Sequence, residues 1–223
     1  MGRGVICAGN PAALRVATLL RGVRCAGKLA ALVLALLGLA ACYHAPKLPH
    51  VAHVPAFSLR DQNARVVSPA QLRGSVWIAN FMFTSCPDVC PLLTTRMAGV
   101  RTQLAPVRDQ VRFVSFSVDP EHDTPGVLKQ YAKKHNVDQP DWSFVTGPID
   151  QVKQVVVSGF KQTLEQTPSA AGKAAGILHG SHFVLVDRNL DIRGFYRSDE
   201  EGLLRLERDA RVLVAEHDAQ GQS

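Results

Sequence analysis

The run Val76-Trp77-Ile78-Ala79-Asn80-Phe81-Met82-Phe83 leads, after two residues, into Cys86-Pro87-Asp88-Val89-Cys90-Pro91. Val76–Phe83 is apolar enough for a strand buried on both faces, as a central strand is and an edge strand is not. Leu92–Leu104 continues helically from the cysteine turn. Few folds accommodate a buried strand that turns at once into a helix with two thiols at the turn. The four-residue spacing puts both sulfurs on one side of a first helical turn. There they can hold one metal ion together or meet as a disulfide. The positive end of the helix dipole lies at the same place and favours thiolate over thiol.

The remaining pattern extends this unit. Val111–Val118 reads as a second buried strand. Thr124–His135 reads as a helix, with Thr124 as N-cap and Pro125 at the first helical position. Trp142–Val145 is a short strand, and Ile149–Val157 a further helix. Phe183–Asp187 and Ile192–Tyr196 form a hairpin around Arg188-Asn189-Leu190, and Leu203–Ala215 closes the chain as an amphipathic helix. Strand-helix-strand-helix followed by a hairpin and a helix is an α/β layer order with a mixed sheet. With a thiol motif at the end of its first central strand, it points to a thioredoxin-like three-layer fold, a central mixed sheet flanked by helices. Residues 56–217 suffice for one domain with a proper core, and 218–223 form a polar tail. No internal repeat is present, and Ser169–Gly176 is a stretch of small residues.

Residues 1–41 carry Arg3, Arg15, Arg21, Arg24 and Lys28, no Asp or Glu, and a 13-residue apolar run from Leu29 to Ala41. That run is short for the roughly 30 Å hydrocarbon core but suits the core of an export signal. Its end, Leu39-Ala40-Ala41-Cys42, resembles a bacterial lipobox, which implies cleavage before Cys42 and lipidation of that cysteine. Residues 42–55, with Pro46, Pro49 and Pro55, read as a tether, and His44, His50 and His53 within it as solvated side chains. The chain has 25 Lys+Arg against 19 Asp+Glu, a net charge of +6. Without the five basic residues of the signal the balance is 20 against 19, which removes the footing for nucleic-acid binding. Cys7 and Cys25 leave with the signal, so Cys86 and Cys90 are the free thiols of the exported domain. In an oxidising compartment such a pair needs a reductant to stay available for metal.

The cysteine block, with Phe81-Met82-Phe83-Thr84 before it, resembles the signature of the Sco/SenC family, copper-binding, thioredoxin-like assembly factors for cytochrome c oxidase. The resemblance continues through Asp119-Pro120-Glu121-His122-Asp123-Thr124-Pro125 and Trp142-Ser143-Phe144-Val145-Thr146-Gly147. It ends at His179, eight residues before Asp187. It implies Cys86, Cys90 and His179 as ligands of copper. Thiolates favour Cu(I) and imidazole accepts Cu(I) or Cu(II), although zinc takes the same donors. His182 lies three residues after His179. The family's spacing to the strand end implies His179 as the ligand, with His182 on the face of Val184 and Val186, as a supporting donor or alternative ligand. Asp88 is placed to cap the helix, or to act on the thiolates or meet a partner, and the resemblance implies that Asp119 approaches the site from its strand end.

A Cys86–Cys90 disulfide serving stability alone closes too short a loop to contribute much. The resemblance implies instead a membrane-anchored metallochaperone on the periplasmic or extracytoplasmic face. It would help to assemble the dinuclear copper centre of the copper-bearing oxidase subunit, with a thiol reductant and another periplasmic copper carrier as partners. The alternative is a thiol–disulfide oxidoreductase that reduces the oxidase's copper-site cysteines. No catalytic residues are then needed beyond a cycling Cys86–Cys90 pair.

Overall fold

The computed structural model of the chain describes residues 47–160, 164–168, 174–178 and 182–220. The export segment, the lipobox with Cys42, and His179 lie outside the described residues. Among the described residues no helix is long and apolar enough to cross a membrane.

In chain order the elements are β1 (Ala52–His53), β2 (Leu59–Arg60), β3 (Val66–Val67), α1 (Pro69–Leu72), β4 (Val76–Met82), α2 (Val89–Gln103) and a 3-10 turn (Ala105–Gln110). They continue with β5 (Val111–Ser117), α3 (Pro125–Lys134), β6 (Trp142–Val145), α4 (Ile149–Lys153) and a π-helical turn (Gln154–Gly159). The chain closes with β7 (Leu164–Pro168), β8 (Ala174–Leu178), β9 (His182–Val186), β10 (Asp191–Arg197) and α5 (Glu200–Gln220). Six strands form one mixed sheet in the order β1-β10-β9-β4-β5-β6. β4, β5 and β6 run parallel, and β9 pairs antiparallel with β4. Helices cover both faces, and the fold is thioredoxin-like, as the order of elements predicts.

All seven residues of β4 are buried, so its continuous apolar run is that of a strand covered on both sides. Val76, Ile78 and Met82 face α2, α3 and α5, whereas Trp77, Ala79 and Phe81 face α1, α4 and the π-helical turn. The second face is aromatic: Phe116 stacks on Phe81, and Phe57 and Phe160 pack against Phe116 edge-on or tilted. α3 starts where expected, with Thr124 Oγ1 accepting from the Val127 amide at 3.4 Å and Pro125 opening the helix.

Four details depart from the sequence pattern. The helix expected over 149–157 is α-helical only to Lys153, and then widens so that the Phe160 amide reaches the Val155 carbonyl at 2.9 Å. The wider turn delivers Phe160 into the aromatic face, against Trp77 and Phe81. Residues 48–54, read as tether, lie along the sheet. The Val51 and Val54 amides donate to the Ile192 and Leu190 carbonyls, and Arg193 donates to the Leu48 and Pro49 carbonyls. His50 and His53 both reach Asp191 Oδ1, at 3.0 and 2.7 Å. The small-residue stretch contributes to a hairpin, β7–β8, paired from Leu164↔Leu178 to Pro168↔Ala174. α5 begins at Glu200, where a side chain on Gly202 would place its Cβ 2.1 Å from the Arg197 carbonyl oxygen.

Candidate functional site

β4 ends at Met82, and the chain turns through Phe83–Asp88 into α2. The Cys86 amide donates to the Phe83 carbonyl at 3.3 Å, which curls the loop back over the strand end. Cys86 Sγ then accepts from the Cys90 amide at 3.4 Å, so a sulfur occupies the place of a capping oxygen at the helix start. Both cysteines are free; Cys86 is half-buried and Cys90 buried, 5% exposed.

Asp88 does not cap the helix. It stands at the N-cap position with its side chain exposed and no capping hydrogen bond. Its ψ of −63° lacks the extended backbone that swings an N-cap side chain over the first free amides. Nor does the helix dipole decide the state of Cys90. Burial pushes that thiol up to about 12, and the charges of Cys86 and Asp123 push the same way, against a backbone hydrogen bond at Phe83. Cys90 is therefore a neutral thiol at neutral pH.

Among the described residues the carboxylate that reaches the motif is that of Asp123. Asp119 takes part through its backbone: its amide donates to Ser117 Oγ, and its carbonyl accepts from the His122 and Asp123 amides. Asp123 is fully buried. It accepts from the Thr84 amide at 3.1 Å, from Thr84 Oγ1, and from Ser117 Oγ at 2.6 Å. Thr84 stands two residues before Cys86, so this carboxylate ties the thiol loop to the end of β5. From the other side, Thr94 Oγ1 donates to the Cys90 carbonyl at 2.9 Å. Since that donation uses the single hydroxyl proton of Thr94, the Tyr131 hydroxyl, 2.9 Å away, donates to Thr94. Asp123, Thr94 and Tyr131 are absent from the sequence-based site; the signal that could have found Asp123 is a second aspartate in the same block as Asp119.

His182 opens β9 opposite Arg197, half-buried. Alternation places it on the face of Val184 and Val186, as expected, whereas Cys86 and Cys90 pack with the other face. Among the described residues no three His, Cys, Asp or Glu side chains are grouped to hold a metal.

A thioredoxin-like domain with a thiol pair four residues apart opening the helix after β4 defines a class of thiol- and soft-metal-handling proteins. Within it the chain belongs to the SCO1/SenC family, whose model matches residues 46–210. It is 34% identical over 134 residues to a SCO1 protein homolog of Bacillus subtilis, covering 60% of this chain and 67% of that protein. Matches to SCO2-like proteins of Rickettsia typhi and Rickettsia felis span 48% and 47% of those proteins. Among solved structures it is similar to BsSco, described as having a disulfide switch and as a member of the Sco family of cytochrome c oxidase assembly proteins. The identity is 28% and the TM-score 0.65, covering 76% of this chain and 96% of that one. It is also similar to Bradyrhizobium japonicum ScoI with copper bound, at 26% identity and TM-score 0.61, covering 70% and 99%.

Proposed function

We propose that this chain is a copper metallochaperone that serves assembly of the dinuclear copper centre of cytochrome c oxidase, with copper as cargo held by Cys86, Cys90 and His179. The observation that carries this reading is the pair of free cysteines at the head of α2, with Cys86 Sγ 3.4 Å from the Cys90 amide. Two sulfurs at one helix start, deprotonated when a metal displaces their protons, form a soft donor set that favours Cu(I). The half-exposed Cys86 gives a partner's ligands a point of attack for exchange. Family membership, copper bound to the Bradyrhizobium japonicum relative, and the oxidase-assembly role stated for BsSco support it. Lipid on Cys42 would hold the protein at the membrane beside its target, facing the periplasm.

The test is copper stoichiometry, under reducing conditions, on a soluble form beginning after Cys42. The wild type is expected to hold one copper per chain, His179→Ala to lose tight binding, and His182→Ala only to weaken it. Equal losses in both histidine variants would remove the ranking of His179 over His182. Failure of the reduced wild type to bind copper would sink the chaperone.

One observation favours a second reading, the thiol–disulfide oxidoreductase. Exchange needs an accessible sulfur to meet the partner and a second to resolve the mixed disulfide, and half-buried Cys86 beside buried Cys90 is that arrangement. Retained reductase activity in His179→Ala alongside retained function in the cell would favour it.

A further inference from the structure

We infer that Asp123 is the positioning residue of the thiol pair: its buried carboxylate holds the Cys86 loop at the distance from Cys90 at which the two sulfurs act together. This rests on the reading of Cys86 and Cys90 as the working pair.

Among the described residues the loop has few other restraints. Ser85, Pro87 and Asp88 are exposed, and Asp88 makes no cap. Between Phe83 and Cys86 the polar anchor is Thr84, whose amide and hydroxyl both donate to Asp123. Asp123 is itself fixed. It is 0% exposed, its second oxygen accepts from buried Ser117 at the end of β5, and its own amide donates to the Asp119 carbonyl at 2.8 Å. Its hydrogen-bond partners, Thr84 and Ser117, carry no charge. A buried carboxylate without a neutralising cation is costly unless its lone pairs are filled, so the three donors and the carboxylate hold one another in place. The consequence reaches Cys86 through two peptide units. Holding two reacting groups in register raises their effective concentration, and that quantity is read directly by how readily the pair forms a disulfide.

The redox step is fully accounted for by a small-molecule disulfide. Oxidised dithiothreitol accepts two electrons and two protons from Cys86 and Cys90, becoming the dithiol while the S–S bond forms. The equilibrium constant of this exchange separates positioning from mere stabilisation, because a purely structural residue would change the melting temperature and leave the constant alone.

The experiment compares wild type, Asp123→Asn, Asp123→Ala and Thr84→Val, on the form beginning after Cys42. The dithiol–disulfide ratio is trapped by alkylation and read by mass, beside a thermal melt. An asparagine can still accept from Thr84 through its oxygen and donate to Ser117 through its nitrogen, so Asp123→Asn should stay within about threefold of wild type. Asp123→Ala frees Thr84 and should lower the constant about tenfold, and Thr84→Val, which keeps the amide donor, about threefold. Wild-type values within twofold in folded Asp123→Ala would overturn the inference. If that variant does not fold, an unchanged constant in Thr84→Val overturns it. A wild type that forms no reversible disulfide would instead discredit the reading of the pair itself, so the two failures are distinct.

Discussion

The two faces of the central sheet are built from different materials. The face toward α4 and the π-helical turn is closed by the rings of Phe57, Trp77, Phe81, Phe116 and Phe160, packed edge-to-face or stacked. The face toward α2, α3 and α5 carries polar groups into its core: Asn80, Ser115, Ser117, Thr94 and Asp123 are all at most 1% exposed. One face stabilises the domain by burial alone. The other accepts polar groups that cost burial energy and uses most of them to orient its neighbours: Asp123 and Ser117 hold the loop before Cys86, Thr94 holds Cys90, and Ser115 takes the Trp142 indole N–H at 2.9 Å. Stability and chemistry are thus divided by a single layer of strand, one residue apart along β4.

The largest test of this division is Phe116→Ala. Removing a fully buried ring should lower unfolding free energy by about 3–5 kcal/mol in a urea titration, with the labelling preference of the two thiols unchanged in the folded fraction. A changed preference would show that the faces are coupled. Next comes the contrast between the thiols themselves. At pH 8 iodoacetamide should label Cys86 at least about a hundredfold faster than Cys90, since labelling needs both exposure and thiolate. The Cys90 rate should climb about tenfold per pH unit and still be rising at the top of the range in which the domain stays folded, since burial pushes that thiol up. Peptide mass mapping over time reads both, and equal rates at pH 8 would contradict the buried, neutral Cys90. The smallest effect sharpens the picture of the polar face. Asn80 is fully buried in β4, and among the described residues neither side-chain amide atom has a hydrogen-bond partner. Asn80→Leu should therefore raise unfolding free energy by about 1–2 kcal/mol, visible as a higher Tm. A loss of stability would mean that the amide is satisfied in solution.

Much of this was legible in the residue pattern, for reasons particular residues make plain. Buried strands such as Val76–Met82 announce themselves by unbroken apolarity, and Thr124-Pro125 marks a helix start by local chemistry alone. The thiol pair was visible because its two members are four residues apart. What was not legible depends on contacts between distant segments. Nothing in the local sequence distinguishes Asp123, which reaches Thr84 on a neighbouring strand's loop, from Asp119, which does not. The π-helical turn is imposed by the aromatic face that receives Phe160. Residues 48–54 look like linker because their hydrogen bonds go to Leu190, Ile192 and Arg193, almost at the other end of the chain. Asp88 illustrates the reverse error: residue type suggested a cap, and backbone conformation denied it.

The pairing of β4 also sets an order of events. One edge of this strand pairs with β5, the next strand but for a single helix and turn, and the other with β9, so that Trp77 meets Arg112 on one side and Val186 on the other. Closing the longer loop carries the larger entropic cost, so β9 docks on β4 after β5 does. For that interval the cluster that contains Cys90 lacks its Phe183 and Leu185. An oxidant met then finds a less covered pair, and the finished domain inherits whichever state, open or bridged, the folding chain acquired.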